Sequence, residues 1–269
     1  MPRQMPPDRF AAVVAASAQV FVAHGFQRAQ VQDVADVLGI SKGALYGYAT
    51  GKLALFSAAL RYADGVEPLP DRSMLPVAPA LPGDLAGVVR DRLAAQIPDL
   101  ALTRALQRDA PPDGVTGTQE LSGVVADLYR RLSANRFAIK LVDRCAPEFS
   151  ELRQVWFEDG RSLQMGAMAE YLRRRAASGH LAVPGVVDLV ARTVVELCVL
   201  WAVHRHWDPA GTPPGLPPGR TDFDDDEVVD MLTQLLALST APALIGGTSS
   251  AHGSRARARP TPRAEGRRS

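Results

Sequence analysis

Gly39-Ile40-Ser41-Lys42-Gly43 matches G-x-S-x-G, the pattern that in a hydrolase presents a serine nucleophile on a sharp strand-to-helix turn. Acyl transfer by Ser41 needs a strand before it and a helix after it. Val31, Val34, Ala35 and Leu38 instead recur at helical spacing ahead of the pattern, and alternating apolar runs are scarce in the whole chain. Ser41 therefore reads as a helix N-cap. His204 and His206 lie two apart and point to different sides of a helix, whereas metal pairs want a spacing of three or four. Together with Asp208 they read as a solvated helix end. The acidic run Asp222, Asp224, Asp225, Asp226 and Glu227 lacks the spacing and the glycine of a calcium loop. Gly51-Lys52 lacks the flanking residues of a phosphate-binding loop. Cys145 and Cys198 sit in apolar helical surroundings and read as buried, reduced thiols, which suits a cytoplasmic protein. No catalytic residue, metal ligand or cofactor is expected.

The elements around Ser41 suit a different task. The stripe 31, 34, 35, 38 predicts a short helix with small Ala35 at a close helix crossing. Gly39 ends that helix where the backbone needs φ > 0. Ile40 plugs the corner, Ser41 caps the next helix, and Leu45 and Tyr48 turn back to the core. Lys42, Gly43, Tyr46 and Gly47 are left facing outward. Two short helices at this spacing make a helix-turn-helix, whose second helix enters a DNA major groove.

The 269 residues carry a net charge of only +1, so the molecule as a whole is not a polycation. The distribution is uneven. Residues 240–269 hold six Arg and one Glu, and residues 1–64 hold six Lys or Arg against four Asp, so the body between is acidic. A mildly basic N-terminal unit is what phosphate contact requires. Arg3 and Arg9 precede an apolar run, FAAVVAASAQVFVAHG, with signal-peptide character. Phe10, Val13, Val14, Ser17, Val20, Phe21 and His24 nevertheless share one helical side, so the run reads as a core helix that Gly25 stops. No membrane span is expected.

The chain divides by pattern into 1–64, a helix-turn-helix unit; 65–83, a Pro-rich linker or a loop over a pocket of the next unit; 84–239, an all-α unit; and 240–269, a disordered Arg-rich tail. In the second unit Asp84 is read as a helix cap. The 118–145 region is read as broken near Asn135. The segment after Pro147 is read as one long helix ending in Arg173, Arg174 and Arg175 before Gly179.

Residues 8–64 resemble the N-terminal domain of the tetracycline-repressor (TetR) family of bacterial regulators. The resemblance is carried by Gly25-Phe26, Asp33-Val34-Ala35, Gly39-Ile40-Ser41-Lys42-Gly43, Leu45-Tyr46 and Lys52. It implies a cytoplasmic homodimer, usually a repressor, that binds a double-stranded DNA operator and is released by a small-molecule effector. It places Ser41, Lys42, Gly43, Ala44, Tyr46, Gly47, Tyr48 and Thr50 in or beside the reading helix. Gln30 and Gln32 fall at the start of the preceding helix, and Lys52 falls where a basic residue touches phosphate. It also implies a dimer seam from the last two helices, for which the wide apolar face offers Leu189, Thr193, Leu197, Leu200, Trp201, Leu232, Leu235 and Leu236. Phe137, Trp156, Phe157, Met165, Met168 and Tyr171 supply adaptable surface for an effector pocket. Four residues depart from the family pattern: Ala29 lacks a capping oxygen, Ala49 replaces a bulky aromatic, Gly47 weakens the reading helix and Gly51 lacks a cap. They predict a reading head that is loose until DNA orders it. The alternative reading is a helical ligand-binding or interaction protein whose DNA-reading head is degenerate.

Overall fold

The computed structural model describes residues 8–207 and 222–242, and among them there are twelve α-helices and no strand. The all-α expectation holds. The 209–219 loop, Asp208 and the Arg-rich tail lie outside the described residues.

The first four helices are α1 (Asp8–Arg28), α2 (Val31–Val37), α3 (Lys42–Leu45) and α4 (Lys52–Tyr62). Among the described residues one helix, spanning Arg9–Arg28, is long and apolar enough to cross a membrane by length and composition. Its Phe10, Val13, Val14, Val20 and Phe21 are buried in the core with Leu55, Phe56 and Leu60 of α4. Gly25 does not end α1, as its sequence suggests. It kinks the helix at φ 74°, and one further turn runs to Arg28.

The second unit comprises α5 (Asp84–Gln96), α6 (Ala101–Leu106), α7 (Gly117–Ala134), α8 (Arg136–Cys145), α9 (Ser150–Arg153), α10 (Arg161–Ala177), α11 (Val187–Ala202) and α12 (Asp225–Thr240). The break before α8 falls at Asn135. The segment read as one long helix after Pro147 is instead α9, a π-helical stretch at Gln154–Gly160, and α10. At Gly160 an added Cβ would lie 3.1 Å from the Val155 carbonyl and 3.2 Å from the Leu93 side chain, so α5 packs closely there. Gly83 is the cap of α5 rather than Asp84, whose carboxylate instead accepts from the Leu81 N–H at 2.7 Å.

Buried polar groups fix the helix order. Arg175 does not serve the exposed helix end that its position suggests. It is fully buried, with Nε 2.6 Å from Glu120 of α7, and its other donors reach the carbonyls of Ala105, Arg108 and Asp109. Tyr171 donates to the same Glu120 at 3.2 Å. Asp225 anchors the start of α12 by accepting from Tyr129, Ser133, Arg136 and Arg205. Burial alone would raise the Asp225 carboxyl, but the hydroxyls of Ser133 and Tyr129 and the charge of Arg136 hold it well below the usual carboxylate range.

Residues 65–83 do not run free between the units: Val66, Glu67 and Gly83 border a groove along α5. The middle of the segment returns to the first unit, where Val77 forms a parallel bridge with Ala49.

Candidate DNA interface and ligand cavity

The turn before α3 is built as its residues dictate. Gly39 takes φ 62°, and the N–H groups of Gly39 and Ile40 close onto the carbonyls of Asp36 and Ala35 at 3.1 and 3.0 Å. Ser41 Oγ accepts from the Ala44 N–H at 3.1 Å, which makes it the N-cap of α3. At α2 the cap is Gln30, not Ala29. Asp33 accepts from the Gln30 N–H at 2.7 Å, and Ala29 is a core residue at 1% exposure.

Ser41, Lys42, Gly43, Ala44 and Tyr46 are exposed together at α3 and its end, and Gln30, Gln32 and Thr50 are exposed beside them. Gly47 is half-buried and follows α3 rather than lying within it. Three of the expected contact residues are otherwise engaged. Tyr48 is 2% exposed, and its hydroxyl is buried without a hydrogen-bond partner, so it supports α3 from behind. Thr50 directs both its N–H and its hydroxyl to the Val77 carbonyl, at 3.1 and 3.2 Å. Lys52 commits two of its three donors to the carbonyls of Phe26 and Gln27, at 2.9 and 3.2 Å, and lies 4.6 Å above the Phe26 ring. Lys42 is exposed and unpaired among the described residues.

The reading head shares one apolar core with α5, α8 and α9. Two carboxylates fasten it across that core. Asp64, just past α4, accepts from the Phe137 and Ala138 N–H groups at 2.9 and 2.8 Å and so caps α8. Burial raises the Asp64 pKa against the pull of these two bonds. Glu148, just past α8, accepts from the Phe26 and Gln27 N–H groups that the Gly25 kink leaves open, at 3.1 and 2.5 Å. Glycine suits this position because its φ of 74° would strain any side chain, and a Cβ would also stand 2.7 Å from the Glu148 carboxylate. Phe149 packs on Phe26 and Phe56, with ring centroids 4.8 and 5.3 Å apart. Helix α8 is thus tied to the reading head at both ends.

Between those ties α8 forms one wall of a cavity of about 620 Å³ bounded also by α5, α6, α7, the π-helical stretch, α10 and α11. Trp156, Met165 and Met168 line it, as their residue types suggest. Phe137 and Tyr171 do not. Phe137 packs on Trp207 with ring centroids 5.3 Å apart, and Tyr171 is fully buried beside Glu120 and Arg175. Phe157 packs against the first core. The cavity's charged groups are mostly answered within the protein. Arg131 pairs with Asp127 at 3.1 Å, Arg161 with Glu196, and Arg92 with Glu67 at 3.3 Å. Asp143 accepts from the Trp156 indole at 2.5 Å and lies 3.6 Å from His204. Burial pushes Asp143 up and His204 down, both toward their uncharged forms.

On the last two helices Leu189, Leu200 and Leu235 are exposed, as are Thr193, Met231 and Leu238. Leu197 and Trp201 are half-buried. Leu232 and Leu236 are core residues, at 1% and 7% exposure, and do not reach that surface. The pattern missed Met231 and Leu238, although they continue the Leu235 row at i−4 and i+3. Both cysteines are buried, and burial pushes each thiol up to about 12, far from nucleophilic range. No group of three or more metal-ligating side chains occurs among the described residues.

Comparison with known proteins agrees with this geometry. Residues 13–59 match the model of the bacterial regulatory proteins of the tetR family. No curated protein matches the sequence. Among solved structures, the ketosteroid transcriptional regulator KstR2 of Mycobacterium tuberculosis is 16% identical with a TM-score of 0.52, over 88% of this chain and 96% of that one. The probable transcriptional regulatory protein RHA5900 is also 16% identical, with a TM-score of 0.53, over 86% of this chain and 98% of that one. Residues 13–59 thus match the reading head of the tetR family, and the chain shares the helical fold of these regulators over most of its length.

Proposed function

We propose that this protein is a cytoplasmic homodimeric repressor, which lets go of its operator when an uncharged, largely apolar molecule fills the cavity. The observation that carries the reading is the placement of α8. It walls the cavity with Ala138, Ile139, Val142 and Asp143, and carboxylates tie both its ends to the reading head. A ligand that seats better with α8 displaced draws the head with it, and it shifts DNA affinity only by that difference in fit. The effector's class follows from the wall. Its volume suits a drug-sized molecule. Of its four arginines, those at 92, 131 and 161 already have carboxylate partners and only the exposed Arg90 has none among the described residues, which leaves little to repay the desolvation of an anionic ligand.

Support for the dimer comes from the exposed leucines of α11 and α12, which a second copy would cover. Support for operator contact comes from the exposed set Ser41, Lys42, Gly43, Ala44 and Tyr46, with Gln30 and Gln32 beside it.

The test is a quantitative gel shift on a duplex from upstream of the protein's own gene, with two dyes of similar size. Nile red is uncharged and apolar, and anilinonaphthalene sulfonate is an anion. Nile red is expected to bind saturably and to weaken the shift, with the sulfonate much less effective. Met165→Trp, which narrows the cavity, should reduce the Nile red effect. Stronger binding of the sulfonate would overturn the effector class, and DNA retention unchanged by a saturating dye would overturn the coupling.

A further inference from the structure

The corner that follows α3 is poor in side chains able to hold it. Gly47 and Gly51 carry none, Ala49 is a methyl buried in the core, and α4 starts at Gly51 without a side-chain cap. A free corner of this composition samples many conformations. Here residues 63–83 supply the contacts that its side chains lack. The Val77 N–H donates to the Tyr48 carbonyl at 2.9 Å, and the Val77 carbonyl accepts from the Thr50 N–H at 3.1 Å and the Thr50 hydroxyl at 3.2 Å. Leu75, Val77 and Ala80 pack on the core that the head shares with α5, α8 and α9.

Both flanks of this segment are fastened to other elements. Glu67 pairs with Arg61 of α4 at 3.1 Å and with Arg92 of α5 at 3.3 Å, and the Gly83 N–H donates to Glu151 of α9 at 2.8 Å. Five prolines between residues 66 and 83 restrict the chain before it docks, which lowers the entropy lost on docking. Connections this long are uncommon in compact domains, and this one holds only a single 3-10 turn, at Arg72–Met74, and the bridge at Val77.

We propose that residues 63–83 are a positioning strap for DNA reading: Val77, paired with Tyr48 and Thr50, sets the angle between α3 and α4, and operator specificity depends on that pairing. The proposal rests on the DNA-reading role of α3. Val77 itself touches no DNA. It acts through the backbone on either side of Ala49.

Two variants test the strap in the full chain. Val77→Pro removes the donor to Tyr48, and Val77→Ala keeps both backbone groups. Hydrogen exchange of the Thr50 amide, read without DNA, should accelerate in Val77→Pro and stay slow in Val77→Ala. Affinity for the duplex that the wild type retains should fall by about tenfold in Val77→Pro, the scale of one or two lost hydrogen bonds at the corner, and recover in Val77→Ala. Affinity for unrelated DNA and Nile red binding should stay at wild-type values in both. A general loss of folding would lower all of these together. Replacing residues 74–80 by Gly and Ser, which keeps the length, should act like Val77→Pro. Full operator affinity in a Val77→Pro protein whose Thr50 amide exchanges fast would overturn the proposal, as would an amide that stays protected. A wild-type protein that retains no duplex fails the DNA-reading role instead, and the exchange experiment distinguishes the two failures.

Discussion

Lys42 opens α3 facing outward and Tyr48 lies in the core just past its end, and their roles separate accordingly. Lys42 is exposed and free to meet a phosphate, whereas Tyr48 is buried with an unanswered hydroxyl. Lys42→Ala should weaken binding to all duplexes alike and reduce the slope of log affinity against log salt by about one. Tyr48→Phe should leave DNA affinity unchanged and hold or raise stability, since the buried hydroxyl it removes satisfies nothing. Titrations across a salt series and a thermal melt check the pair. At this scale the sequence was legible where local chemistry decides. Gly39 at positive φ and Ser41 as cap follow from their own residue types. Lys52, Thr50 and Arg175 were not legible, because their partners at 26–27, 77 and 120 are brought to them only by the tertiary fold.

Between elements, two contacts carry the account. Glu148 joins the end of α8 to the kink of α1, so Glu148→Gln, which loses one acceptor, should bind Nile red as the wild type does while DNA retention responds less to the dye. Measuring dye binding and DNA release on the same protein checks this, and equal release would remove Glu148 from the coupling. Asp225 joins α12 to α7 and α8, and its folded pKa is depressed. Its stabilisation is therefore fully present above the unfolded carboxyl value of about 3.9, and it is lost as pH falls below that toward the folded value. Asp225→Asn should cost about 1–2 kcal/mol at neutral pH, reduced from a fully buried case by partial exposure. The gap between variant and wild type should close in acid. Urea melts from pH 7 down to acid check the sign. Element types and the break at Asn135 could be read from periodicity and punctuation. The π-helical stretch could not, since its apolar spacing resembles an ordinary helix and its close approach to α5 at Gly160 is made only in the tertiary fold.

For the molecule as a whole, the exposed row Leu189, Leu200, Met231, Leu235 and Leu238 is the surface a second copy covers in the proposed dimer. Leu235→Glu should shift the protein toward monomer in analytical ultracentrifugation and weaken operator binding, because each half-site then binds singly. The all-α class was readable from the scarcity of alternating apolar runs, and the cavity was not, because it forms between helices distant in sequence. In the proposed dimer α3 reads a DNA sequence from a two-fold molecule. Selection from a random duplex pool by the full-length protein tests this most directly. Enrichment is expected of a near-palindromic motif with half-sites about one helical turn apart, bound at least about a thousandfold more tightly than unrelated DNA at physiological salt. A pool that returns with no enriched motif, from a protein still able to bind DNA, would contradict it.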